Sequence, residues 1–332
     1  MVNILITSAG RRVELVQQFI KARNSKKLSG RIICADMSDL APALYFADIS
    51  YSIPKISDPM YISKLLEICQ KEEVDIVIPT IDTELSILSD SVKLFQTIGT
   101  DVLISSKETI KITENKMETF KFFKSIDINT PDSVGKEMKY EGEYPCFIKP
   151  VSGSSSVNVF KVKNEQELKF FKYYIGDYII QKFVDGDEFT IDVFCDFEGN
   201  PIYITPRIRI STRSGEVNKT KIYYDQHLMD SVFEILKALK PKGPLTIQTI
   251  KDNVDGRYYF IEINARFGGG SPLSMMAGAN SAEALYDLIN GKKFTYESYA
   301  AKKELMFVRF DQSIALEREI NGQYEKIKSS HI

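Results

Sequence analysis

Three oxygen-bearing side chains sit at a spacing that suits metal chemistry. Gln248, Glu262 and Asn264 fall in two apolar, alternating stretches, residues 245–250 and 257–263, joined by the turn sequence Asp252-Asn253-Val254-Asp255-Gly256. Glu262 and Asn264 are two apart, so on a strand they share a face, and Gln248 on an antiparallel neighbour can join them. Ile261 and Ile263 then take the opposite face. Buried polar groups need partners, and oxygen ligands of this kind suit Mg²⁺ completed by water and nucleotide phosphates. Arg266 follows two residues later, ahead of Phe267-Gly268-Gly269-Gly270, where it could hold a phosphoryl oxygen. A hairpin face turned to solvent would show the same row.

A second set suits phosphate. Lys149 lies near the end of the apolar stretch 146–150 and is followed by Val151-Ser152-Gly153-Ser154-Ser155-Ser156. Small residues let backbone N–H groups approach a phosphate, and Lys116, at the start of a helix after Asn115, adds a second point charge. A strand rather than a helix follows the loop, so this is not a Walker A sequence. A solvated β-turn has the same composition. Gln181-Lys182-Phe183-Val184 precedes a turn and could serve as a hinge whose backbone reads an adenine edge. Glu188 could then accept hydrogen bonds from ribose hydroxyls, or stand in water on an edge strand. Arg209 and Arg213, in the basic stretch 206–213, could clamp a substrate carboxylate, or belong to a solvated basic strand. Arg309 is a further candidate.

The elements that must position these groups follow from the rest of the chain. It has 332 residues, a net charge of −2 and 43% hydrophobic residues, which allows two or three domains and excludes a uniformly basic nucleic-acid-coating surface. Two His exclude a His-rich metal site. The four Cys form no C-x-x-C pair, which fits a reducing compartment, and the cytoplasm is the expected location. No apolar run is long enough to span a bilayer.

Strands at 2–6, 31–35, 74–79 and 102–104 alternate with helices beginning at Val13, at 60–72 and at 85–95. That pattern predicts an open parallel sheet with ligand loops at strand C-termini. The loop Thr7-Ser8-Ala9-Gly10-Arg11-Arg12 can present N–H groups to an anion, but a single Gly does not satisfy G-x-G-x-x-G. Gly10 and Asp36 leave open an NAD(P)-dependent oxidoreductase. In the loop Pro79-Thr80-Ile81-Asp82-Thr83-Glu84, Asp82 either caps the next helix or serves a substrate.

Taken in order, these motifs resemble the ATP-grasp superfamily, specifically short proteins similar to the carbamoyl-phosphate synthase large chain with a single ATP-grasp unit. The resemblance covers nearly the whole sequence. It implies an α/β and α+β chain, an ATP-grasp fold preceded by an open parallel-sheet α/β domain. The implied domains are residues 1–112, a small lid domain at 113–185 and a metal-binding domain at 186–332. It implies that Lys116, Lys149, Gly153, Ser154, Ser155 and Ser156 handle the phosphates of ATP. Gln181, Lys182, Phe183 and Val184 would form the adenine hinge and Glu188 the ribose acid. Gln248, Glu262 and Asn264 would hold one or two Mg²⁺, with Mn²⁺ as a substitute. Relatives often place an acid where Gln181 stands, and amino-acid ligases often place Asp at the position of Gln248.

The implied reaction activates a small-molecule carboxylate as an acyl phosphate. An amine then attacks to form a C–N bond, releasing ADP and phosphate. Arg266, Lys149, Arg209 and Arg213 are the candidate catalytic side chains. Neither nucleic acid nor membrane is an expected partner, and a homodimer is the base-rate expectation. A non-catalytic nucleotide-binding module is the other alternative.

Overall fold

The computed structural model describes residues 1–153, 157–213, 215–318 and 324–327. The chain forms two compact units. One combines Met1–Ile104 with Asn280–Lys293 and the described residues from Arg309 onward, and the other combines Ser105–Ala279 with Phe294–Val308.

The first unit is built on β1 (Ile4–Thr7), α1 (Val13–Ser25), β2 (Ile32–Asp36), β3 (Ile49–Ser52), α2 (Tyr61–Lys71), β4 (Ile76–Pro79), α3 (Leu85–Gln96) and β5 (Asp101–Val102). Its five strands are all parallel, in the order β3-β2-β1-β4-β5. Every residue of β1, β2 and β4 is buried, which is why these strands read as continuous apolar runs. α1 buries Leu15, Val16, Phe19 and Ala22, a helical stripe. Edge strand β3, Ile-Ser-Tyr-Ser, is half-exposed and carries too weak a pattern to be expected from sequence. The chain runs outward from β1 through β3 and then crosses back to β4. The C-terminal ends of β1 and β4 therefore flank the point where ligands gather in such sheets.

The second unit opens with α4 (Lys107–Glu114) and α5 (Lys116–Ser125). A four-stranded antiparallel sheet follows, made of β6 (Ser133–Gly135), β7 (Cys146–Pro150), β8 (Phe160–Val162) and β9 (Tyr178–Lys182), in the order β6-β9-β7-β8. α6 (Glu165–Ile175) contributes Leu168 to a core with Cys146, Ile148, Val162, Tyr178 and Ile180. Alternation therefore sends Phe147, Lys149, Ile179 and Gln181 to the other face of this sheet.

A six-stranded antiparallel sheet completes the unit. Its strands are β10 (Gly186–Cys195), β11 (Pro201–Arg213), β12 (Glu216–Ile222), β13 (Gly243–Asp252), β14 (Tyr258–Asn264) and β15 (Met306–Val308), in the order β14-β13-β10-β11-β12-β15. Helices α7 (Gln226–Leu239) and α8 (Ser271–Met276) lie between its strands in sequence.

One irregularity decides which side chains face the site. Gln248 pairs with Glu262, but Thr249 pairs with Phe260, so Ile261 is the extra residue of a β-bulge. The bulge reverses the phase of β14. Phe260 goes with Thr249 into the core, each 1% exposed, while Glu262 and Asn264 stay on the face of Gln248 and Thr246. The simple alternation expected for Ile261 and Ile263 breaks at Ile261. Strict alternation would have put Phe260 beside Glu262.

The chain returns to the first unit at α9 (Ser281–Ile289). Tyr286 meets Phe19 edge-on with centroids 6.4 Å apart, Asp287 pairs with Lys26 at 2.7 Å, and Glu283 accepts from Ser25 at 3.0 Å. No helix among the described residues is long and apolar enough to cross a membrane.

Candidate functional site

The lysine side of the site rests on β7, β9 and α5. Lys149 is 7% exposed, and its Nζ donates to Gln181 Oε1 at 3.0 Å. Gln181 Nε2 in turn donates to Ser133 Oγ at 3.0 Å, so the amide is fixed from both ends. Burial pushes the Lys149 ammonium down to about 8; Lys116 pushes the same way and Glu262 opposes.

Asn115 caps α5, accepting from Met117 N–H at 2.9 Å and Glu118 N–H at 3.1 Å. Glu114 ends the preceding helix rather than opening this one. The Lys116 N–H donates to the carbonyl of Val151 at 2.9 Å, and its Nζ donates to the carbonyl of Gly153 at 2.7 Å. Lys116 is thus stitched to the start of the small-residue loop, where Gly153 takes φ +111°. Ser154, Ser155 and Ser156 lie outside the described residues.

Lys182 N–H donates to Asp132 O at 2.8 Å, and the Phe183 ring lies under Lys161 Nζ at 3.6 Å and beside Phe147 at 5.6 Å. The hinge residues Lys182, Phe183 and Val184 border a cleft of about 350 Å³ together with Asn129, Asp252 and Tyr259.

The oxygen-ligand side is a polar face of the six-stranded sheet. Glu262, Gln248, Thr190 and Arg207 lie in one register row across β14, β13, β10 and β11. Asn264, Thr246, Asp192 and Thr205 form the next row. Arg207 is 1% exposed; its Nε donates to Asp192 Oδ2 at 2.8 Å, and Ser274 Oγ donates to the same oxygen at 2.5 Å.

Asn264 is 5% exposed, yet its Nδ2 has no protein partner, and neither does Asp192 Oδ1. Such orphans mark a face arranged for something beyond protein. Among the described residues no three His, Cys, Asp or Glu side chains cluster. A cation held by Gln248, Glu262 and Asn264 therefore meets one carboxylate and two amides and needs further oxygens. That donor set fits Mg²⁺ shared with a polyphosphate.

Arg209 Nη1 lies 3.4 Å from the Glu188 carboxylate, and its Nη2 donates to Gly215 O at 2.9 Å. Arg213 stands opposite Glu216 in the β11–β12 pairing. Arg266 holds its backbone against β13, with its carbonyl accepting from Thr246 Oγ1 at 3.3 Å. The glycines after it are crowded. A Cβ on Gly268 would fall 2.7 Å from Thr246 Oγ1, one on Gly269 would collide with the Glu216 carboxylate, and one on Gly270 would fall 2.5 Å from Arg207 Nη2. Arg309 belongs to the first unit and pairs with Glu14 at 3.0 Å.

In the first unit, the loop after β4 is organised by Glu84, which sequence reasoning passed over in favour of Asp82. Glu84 is fully buried. It accepts from Ser8 Oγ and Tyr61 OH at 2.8 Å, Thr80 N–H at 2.7 Å and Ile81 N–H at 3.2 Å. Burial pushes its carboxyl upward against these four hydrogen bonds. Asp36 accepts from Gly10 N–H at 2.8 Å and Ser38 N–H at 2.9 Å. The oxidoreductase alternative needed that carboxylate for a ribose and that N–H for a pyrophosphate, and each satisfies the other instead.

Sequence reasoning also missed Asp192, Arg207 and Ser274. Opposite charges at inward positions of neighbouring strands were the available signal.

Comparison with known proteins agrees with this geometry. Residues 4–103 match the family described as PylC-like, N-terminal domain, and residues 113–270 match the ATP-grasp domain. The 3-methyl-D-ornithine–L-lysine ligase of Methanosarcina acetivorans is 24% identical over 273 residues, covering 82% of this chain and 70% of that protein. A carbamoyl-phosphate synthase of Methanobrevibacter smithii is 22% identical over 245 residues, covering 68% and 66%. The crystal structure of an L-amino acid ligase from Bacillus licheniformis superposes with a TM-score of 0.69 at 19% identity, covering 87% of this chain and 74% of that one. The chain belongs to the ATP-grasp superfamily, with one ATP-grasp unit behind a PylC-like N-terminal domain, and its class is that of the ATP-dependent carboxylate–amine ligases.

Proposed function

We propose that this ligase joins the carboxylate of one amino acid to an amine of another, consuming ATP and releasing ADP and phosphate. The observation that carries the reading is the in-register pair Gln248–Glu262, with Asn264 on the same face and Glu262 electrostatically coupled to the buried Lys149. The ligase acting on 3-methyl-D-ornithine and L-lysine supports the amino-acid class of both substrates.

In this reading Gln248, Glu262 and Asn264 hold Mg²⁺, or Mn²⁺ in its place, which when bound neutralises phosphate charge. Lys149 and Lys116 bind the phosphates, and Gly153 with residues 154–156 provides close backbone approach. The hinge 181–184 reads adenine, and Glu188, steadied by Arg209, takes the ribose. The donor carboxylate oxygen attacks the γ-phosphorus, the bond to the ADP oxygen breaks, and Arg266 faces the charge on the transferring group. The acceptor nitrogen then attacks the acyl carbon, loses a proton, and phosphate departs with its bonding pair. Arg213 orients a substrate carboxylate. None of these steps needs a nucleophilic side chain, since positioning and charge neutralisation supply the catalysis.

A screen of ADP release crossing the common amino acids in pairs, with mass detection of products, tests this reading. ADP release that needs both partners, with a product lighter than their sum by one water, supports it. ADP release with no ligated product from any pair overturns it.

A further inference from the structure

The site described so far is rich in cations. Lys116, Lys149, Arg207, Arg209 and Arg266 suit ATP and a carboxylate donor. An amine acceptor reaches a ligase as an ammonium ion, and a field of that sign repels it. A carboxylate must stand where it docks. Three carboxylates on this face have other roles: Glu262 in the oxygen-ligand row, Glu188 beside Arg209, and Asp192 beneath Arg207 and Ser274.

Glu216 is the fourth. It begins β12, is exposed, and its carboxylate lies against the backbone of Gly269, closely enough that any side chain at 269 would collide with it. Gly269 is five residues past Asn264 and three past Arg266, on the loop that leaves the oxygen-ligand strand. The next glycine, Gly270, is held against the buried Arg207 guanidinium, which fixes the loop from the opposite side. Two adjacent glycines therefore meet charges of opposite sign.

From this we infer that Glu216 is a specificity-determining residue that receives the ammonium of the acceptor beside Gly269. The inference rests on the ligase reading above and extends it to the acceptor. Glu216 draws a cationic amine into a cationic site and holds its nitrogen near the activated carboxyl. A neutral nucleophile needs no such residue.

The experiment compares two nucleophiles on the full chain. Acceptor ligation is followed with the best donor–acceptor pair from the common amino acids. Acyl phosphate formation by the same donor and ATP is followed separately with hydroxylamine, which is largely neutral at pH 7.5, as coloured hydroxamate. Glu216→Gln is expected to raise the acceptor KM by about tenfold or more, the loss of one charge-assisted hydrogen bond, and to change the hydroxamate rate by less than about twofold. Glu216→Asp is expected to fall between. Gly269→Ala, which must displace the carboxylate, is expected to raise the acceptor KM as Glu216→Gln does. An unchanged acceptor KM in Glu216→Gln overturns the inference while leaving the ligase reading intact. An equal loss of both activities also overturns it, since Glu216 would then act on the acylation step. A parent protein that ligates no pair overturns the ligase reading and this inference with it.

Discussion

Lys149 donates to the neutral amide of Gln181 at 3.0 Å, so its ammonium has a hydrogen-bond acceptor that does not neutralise its charge. The positive charge stays available to a polyanion, and burial has already brought its pKa down to about 8. Bound phosphates favour the charged form and raise that value. Below about 8 the lysine is protonated with or without nucleotide, and binding takes up no proton. Above about 8 the free protein has lost part of that proton and binding restores it. Calorimetry of a non-hydrolysable ATP analogue, in buffers of different ionisation enthalpy, should show proton uptake near pH 9 and none near pH 7. Affinity should weaken as pH rises through that window. Lys149→Met should abolish the uptake, and uptake of equal size in that variant would remove Lys149 from the assignment.

Glu262 supplies the one carboxylate of the oxygen-ligand row. Glu262→Gln keeps shape and hydrogen-bonding capacity but removes the charge that matches a divalent cation. ADP release should fall by about 100-fold or more, with metal-free nucleotide binding little changed. Titration of Mg²⁺ at fixed ATP is the informative measurement. An unchanged half-saturating Mg²⁺ concentration would move the metal elsewhere.

Arg207 and Asp192 form a buried ion pair, 1% and 7% exposed. Arg207→Met leaves the Asp192 carboxylate buried with only Ser274 for company, and should cost about 3–5 kcal/mol in chemical denaturation. Changing Asp192→Asn in the same chain removes the stranded charge and should recover a large part of the loss. A double variant less stable than Arg207→Met alone would contradict this account.

Glu84 holds two backbone N–H groups and two hydroxyls inside the first unit. Glu84→Ala strands the Thr80 and Ile81 N–H groups in a dry interior and should destabilise by about 3 kcal/mol or more. Glu84→Gln keeps an oxygen for both N–H groups, and the Ser8 and Tyr61 hydroxyls can rotate to accept from its amide. Its cost should stay near 1 kcal/mol. Equal melting shifts for the two variants would show that volume, not hydrogen bonding, is what Glu84 contributes.

The sequence displays the parts of this site that depend on local pattern. The parallel strands of the first unit are legible because burial on both faces makes them uniformly apolar. The Gln248–Glu262 pairing is legible because turn residues fix the hairpin between two alternating runs. The bulge at Ile261 is not, since Phe260 and Ile261 are both apolar and give no sign of which is extra. Glu84 is hidden for a different reason. Its meaning lies in Ser8, 76 residues earlier, and no local spacing announces a partner at that distance. Asp192 and Arg207 stand between these cases, since the β10–β11 hairpin brings them together but two charges in apolar strands are easily assigned to solvent.

The first unit is threaded from separate stretches of chain, and this bears on how it can be made. A nascent polypeptide that has emerged as far as Ile104 possesses all five parallel strands, yet lacks α9 and with it Tyr286, the edge-on neighbour of Phe19. Phe19 is fully buried in the finished protein. During synthesis its stripe on α1 stays uncovered until the whole ATP-grasp unit has left the ribosome. The unit translated first is therefore finished after the unit that follows it, and a gene split at any single point between residues 104 and 280 yields two halves that each hold part of it.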